Sequence, residues 1–228
     1  RLNRTEYDHT VRDLLGDDLG LAMAGFMPEE QMLGFDNNAR ALQVTPVHAE
    51  QFMEASEAAA LHVAADLDAY LDCDLEAMGA DACAAAFIHD FGRRAWRRPL
   101  EDAEHARLLA LFAEGAELEG DPVEVGVALV VQALLQSPNF LYRVEVGTPV
   151  EGDATLRQLT DHELASRLSY LLWASMPDAE LFDAADRGEL VTTEGLTAQV
   201  ARMMEDERAK AGLWRFFVQW LAIEDVPN

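Results

Sequence analysis

The sequence predicts an all-α fold, an array of about eight to ten helices with one long ordered loop near the N-terminus. Three observations carry this. Apolar residues recur at helical spacing almost throughout, alternating strand patterns are scarce, and the breaks fall at Pro and Gly.

The opening RLNRTEYDHTVRDLLG gives the first helix. Asn3 can cap with Glu6 three residues on, Leu2 can staple to Tyr7, and Val11, Leu14 and Leu15 form the apolar side before Gly16 stops it. Residues 17–42 carry Gly, Pro and Asn at irregular spacing and read as a long ordered loop. In a compact domain such a loop either carries function or wraps the core. Thr45-Pro46 then starts a second helix, running to about residue 71, with Phe52, Met53, Ala60, Val63, Ala64 and Leu67 along one side.

A cysteine-containing loop leads to a third helix over about residues 81–98, ended by Pro99. Helices follow over about residues 101–117 and 121–136. The second of these opens on an Asp121-Pro122-Val123-Glu124 capping box, and its body, VEVGVALVVQALL, is apolar nearly all round, which predicts a buried central helix. Ser137-Pro138 ends it, and FLYRVEVG reads as a short extended or helical passage. Thr160 with Glu163 and Ser175 with Asp178 form two further capping boxes, each ahead of an apolar stripe. Helices over about residues 196–204 and 207–221 complete the chain, which divides into segments 1–72, 73–150 and 151–228.

Half of the 228 residues are apolar, enough for one large or two small cores. Against 42 Asp and Glu stand only 17 Lys and Arg, a net charge of −25. That field has the wrong sign for nucleic acid, where binding releases counterions from phosphates. No apolar run reaches the roughly 18–20 residues that span a bilayer. The chain begins at Arg1, inside what reads as a helix start, and is expected to be part of a longer protein.

The scarce cations concentrate in FGRRAWRRPL. On a helix Ala84, Phe87, Ile88, Phe91 and Ala95 fall within one buried arc. Arg93 and Arg97 are expected to point away from it, while Arg94 and Arg98 flank its edge. Asp90 stands four residues before Arg94, and Glu101, Asp102 and Glu104 open the next helix. One reading is an electrostatic clasp between consecutive helices; the other is an anion site, since arginine forks bind planar oxyanions in bidentate fashion. Arg143 and Arg167 lie among apolar residues and need acidic partners.

In GFDNNA, Asp36, Asn37 and Asn38 offer oxygen ligands of the kind calcium takes, or an Asx-stabilised turn. His48 and His162 fall in first helical turns, His105 slightly later, and the six histidines show no paired zinc spacing. No P-loop, dinucleotide or G-x-S-x-G signature occurs. Cys73 and Cys83 match neither C-x-x-C nor C-x-x-C-H; a small disulfide loop and two buried thiols are the alternatives.

Six ordered blocks carry a resemblance: RLNRTEYDHTVRDLLG, GFDNNA, FGRRAWRRPLEDAE, LLQSPNFLYRVE, LTDHELASRLSYLLWASMPDAEL and RFFVQWL. Together they resemble large proteins of planctomycetes and myxobacteria built from domains of unknown function 1587, 1595 and 1592, in that order. Such proteins look exported and often carry a c-type cytochrome domain. The resemblance therefore implies an extracytoplasmic setting (periplasmic, cell-surface or secreted), favours a Cys73 to Cys83 disulfide, and implies as partners the other domains of the parent protein, among them a cytochrome c domain. No haem attachment motif lies in this chain, so no cofactor is expected within it and haem c would belong elsewhere in the parent. The expected function is a non-enzymatic interaction or scaffolding module of an exported, cytochrome-linked multidomain protein; the alternative is the substrate-binding or catalytic part of a haem-dependent extracytoplasmic oxidoreductase.

Overall fold

A computed structural model describes residues 1–223. Helix α1 (Arg4–Leu15) starts at the Asn3 capping box and ends at Gly16, whose φ of 81° only glycine adopts without strain. The loop expected over residues 17–42 contains one short helix, α2 (Leu21–Gly25), and an isolated bridge between Met32 and Phe35. The second long helix, α3 (Pro46–Ala65), takes a Thr45 cap and stops sooner than expected. A short α4 (Leu67–Tyr70) and α5 (Leu75–Met78) carry the chain around the cysteine loop. Met53, expected on the inner side of α3, is exposed, whereas Phe52, Ala60 and Val63 are buried.

Helices α6 (Ala80–Trp96) and α7 (Asp102–Ala116) lead to α8 (Pro122–Gln136). As its composition predicts, α8 is central, packing against α3, α6 and α7, with Val127, Val130, Val131, Leu134 and Leu135 fully buried. The α7–α8 approach depends on two glycines. A Cβ on Gly126 would lie 2.6 Å from the Phe112 ring, and one on Gly115 would lie 2.9 Å from the Gly126 Cα.

After the single turn α9 (Pro138–Leu141), the chain forms a hairpin of β1 (Thr148–Val150) and β2 (Asp153–Gln158), antiparallel, with an irregularity between Pro149 and Val150. The sequence shows no sign of it because its residues are largely exposed on both faces, so no period-two apolar pattern arises. Then come α10 (Asp161–Trp173), α11 (Ala179–Asp186), α12 (Thr193–Glu205) and α13 (Glu207–Trp220). The Thr160–Glu163 capping box forms as expected. The Ser175–Asp178 box does not, because Asp178 itself caps α11 through the Leu181 N–H while Ser175 donates to the Asp13 carboxylate at 2.5 Å. Nine of the thirteen helices among the described residues have seven residues or more, within the expected eight to ten. None is long and apolar enough to cross a membrane.

The main core runs through the first two segments and centres on Tyr7, whose ring meets Phe26, Phe52 and Phe140 at centroid distances of 4.8, 6.3 and 5.6 Å. A second core gathers Trp173, Leu181, Leu190 and Met203. The third segment joins the main core through Tyr170, Met176 and Phe182, and Tyr170 and Thr10 share a hydrogen bond of 2.8 Å. That interlock places the C-terminal helices against α1 and the arginine cluster.

Candidate functional site

Helix α6 closes with Arg97 in the left-handed region (φ 60°), where glycine is the usual residue, and with the Arg98 N–H bonded back to Arg93 O. The turn swings Arg97 inward. Expected to face solvent, it is instead 3% exposed, because a helical projection no longer holds once the backbone leaves αR. Its Nη2 donates to the carbonyls of Asn139, Phe140 and Tyr142 at 2.6, 2.9 and 2.9 Å, the orphan acceptors around the end of α9. The guanidinium also lies over the rings of Phe140 and Tyr170.

The other three arginines diverge. Arg94 was expected to pair with Asp90. It reaches instead to the carbonyls of Asp13 and Leu14 at 3.0 and 2.9 Å, closing the C-terminus of α1 where a cation is stabilising. Arg98 makes the expected clasp, a two-pronged pair with Glu104 at 2.8 Å for both bonds. This hydrogen bonding holds the Glu104 carboxyl below the usual carboxylate range and raises Arg98. Arg93 bonds Asp186 on α11 and stacks over Phe182 at 5.0 Å. The cluster thus ties α6 to α1, α7, α9, α10 and α11.

A cavity of about 490 Å³ opens beside it. Its wall includes Arg93, Arg94 and Arg208, but also Asp13, Asp90, Asp178 and Asp183, so an anion there would face four carboxylates as well as three guanidinium groups. Burial raises Asp178, and the Arg202 fork, the Leu181 N–H and Arg208 outweigh it, leaving the carboxyl below its ordinary value.

In the GFDNNA loop, Asp36 accepts from Asn3 Nδ2 at 3.3 Å and pairs with Arg215 of α13. Asn38 forms an Asx turn to the Arg40 N–H at 3.0 Å, while Asn37 is exposed. Among the described residues no group of three or more His, Cys, Asp or Glu is placed to hold a metal ion. Cys73 and Cys83 form a disulfide with a Cα separation of 5.7 Å. Arg143 finds Glu6 at 3.4 Å and Arg167 pairs with Glu145, the acidic partners expected, but the Arg167 side chain is 56% exposed, so its apolar neighbours in sequence do not surround it. His48 contacts Arg1 at 2.9 Å, His162 meets Asp186 at 3.0 Å, and His105 contacts the Ala85 carbonyl.

One feature went unread in the sequence. Helix α13 turns Gly212, Arg215 and Gln219 inward, while Leu213, Trp214, Phe217, Trp220 and Leu221 lie 43–66% exposed. Spacing alone could have revealed an apolar stripe here, but not that it faces out.

Residues 1–65 match the family PSD3, protein of unknown function (DUF1587). Residues 83–145 match PSD5, protein of unknown function (DUF1595), and residues 159–228 match PSD4, protein of unknown function (DUF1592). No curated protein and no solved structure matches the chain.

Proposed function

We propose that this chain, built from the DUF1587, DUF1595 and DUF1592 domains in succession, is a non-enzymatic helical interaction module of an exported multidomain protein. Its partners are other domains of the same protein, docked on the outward face of α13. The observation that carries this reading is the inversion of that helix. A soluble helix ordinarily buries its apolar side, yet here Trp214 and Trp220 are 66% and 60% exposed while Gln219 is 7% exposed. Contiguous exposed aromatic surface marks a docking face, and Trp and Phe are the residues that anchor such contacts.

The disulfide supports an extracytoplasmic setting, because cytosolic thiols are kept reduced. The family resemblance supports a cytochrome c domain among the partners, and haem c would be carried there. The cluster Arg93 to Arg98 fits a framework role, since each guanidinium has protein acceptors.

The test is calorimetric titration of chain 1–228 with the remaining domains of the parent protein. Binding in the micromolar range or tighter is expected, weakened at least about tenfold by Trp214→Ser with Phe217→Ser at unchanged melting temperature. No binding, or full binding by the double variant, would refute the docking face.

A further inference from the structure

A second cavity, of about 480 Å³, lies where α1, the GFDNNA loop, α10 and α13 converge, and all three matched domains contribute to its wall. Its volume falls in the range of about 300–1,000 Å³ typical of small-molecule sites. Three properties of the wall define a ligand.

The first is aromatic. Phe35 and Phe216 stack at 5.7 Å and 27°, and Phe216 continues the row to Trp220 at 6.0 Å and 25°. Phe216 is 47% exposed and so presents apolar surface to whatever enters. The second is charge balance. The cations Arg143, Arg167 and Arg215 of the wall are already paired, with Glu6 and Glu145 in the wall and with Asp36 behind it, so no guanidinium group is left free for an ion. An anion would have to compete with a carboxylate at every guanidinium group.

The third property is polarity open to a ligand. Gln219 is only 7% exposed and lines the cavity, and its side-chain amide makes no hydrogen bond to the described residues and is left to whatever fills the cavity. Asn37, which is exposed, also lines the cavity and makes no side-chain hydrogen bond to the described residues. Each amide offers both donors and an acceptor. A purely apolar ligand would leave the Gln219 amide desolvated and unpaired, which is costly.

An uncharged molecule with one apolar face and a rim of groups that both donate and accept satisfies all three conditions. A pyranose is such a molecule: its C–H face is apolar and its hydroxyls do both. We propose that this cavity binds a neutral sugar, with the ring against Phe216 and the hydroxyls bonded to Gln219, Asn37 and the Arg167–Glu145 pair. Trp214 and Phe217 of the outward face do not line the cavity, although Trp220 borders both through its stack with Phe216.

Saturation-transfer NMR on chain 1–228 tests this with the methyl pyranosides of glucose, galactose, mannose and xylose, with cellobiose and maltose, and with glucuronate and inorganic phosphate as charged controls. Transfer to ring C–H protons of at least one neutral sugar is expected, with none to phosphate. Phe216→Ala and Asn37→Ala, both at exposed positions, should each weaken binding about tenfold, and Gln219→Leu should do the same if it melts within a few degrees of the parent. Trp214→Ser with Phe217→Ser should leave sugar binding intact while weakening domain docking, so the two proposals fail separately. The sugar site is overturned if no neutral sugar receives saturation, if the charged controls bind and the neutral ones do not, or if Phe216→Ala and Asn37→Ala bind as the parent does.

Discussion

Replacing Arg97 with alanine should be the most damaging change within the arginine cluster. Its guanidinium, 3% exposed, serves three carbonyls within 3.0 Å, and also approaches Ala95 O and the Tyr170 hydroxyl at 3.2 and 3.3 Å. A hydrogen bond to a charged group contributes about 1.5–3 kcal/mol. The three carbonyl bonds share one donor group and do not add, and water entering the vacated space restores part of the loss. The expected cost is about 3–5 kcal/mol, a large share of the roughly 5–15 kcal/mol that holds a domain folded. Arg97→Lys keeps the charge but loses the fork, and should cost about 2 kcal/mol. Arg93→Ala removes a partly exposed pair and should cost about 1 kcal/mol or less. Urea unfolding at pH 7 measures all three, and an unchanged slope would show that the denatured state is not the cause. If Arg97→Ala loses less than 1 kcal/mol, or Arg93→Ala loses as much as Arg97→Ala, the inward-turned arginine does not organise this junction.

Three further outcomes are expected. Arg98 holds Glu104 below its ordinary value of 4.5, so the stabilisation is fully present above that pH and is lost as pH falls through the lower folded value; Glu104→Gln should lower the melting temperature at pH 7 and make the acid side of a melting-temperature profile shallower. Opening the Cys73–Cys83 bridge, which spans 10 residues of sequence, should remove about 2–3 kcal/mol in urea titrations with and without reductant. Gly126→Ala should destabilise by about 1–3 kcal/mol in the same assay, because the new methyl meets the Phe112 ring and carbonyl at 2.6 and 2.9 Å.

Local grammar made most of the fold legible. Asn3 with Glu6, Thr45-Pro46, Asp121-Pro122 and Thr160 mark helix starts through bonds made within four residues, and the starts lie where those side chains put them. The apolar run of α8 announced its burial for an equally local reason. What escaped the sequence depends on partners far along the chain. Asp13 lies 162 residues from the Ser175 it bonds, so Ser175 is lost as a cap. Arg97 lies more than 40 residues from the carbonyls that draw it inward, and nothing local marks the left-handed turn, since the residue there is not glycine. The second cavity is assembled from residues up to Gln219 that share no sequence neighbourhood with Asn37. The outward face of α13 was visible as a helix and invisible as a surface, because periodicity gives the stripe and only packing decides which side it meets.

The decisive measurement for the α13 docking face is hydrogen exchange of that helix in the full-length parent protein, set beside chain 1–228 alone. If a partner domain covers α13, backbone amides of Glu207–Trp220 exchange at least about tenfold more slowly in the parent, with those of α12 unchanged. Equal exchange of α13 in both proteins would contradict docking there and leave the exposed tryptophans without a partner domain.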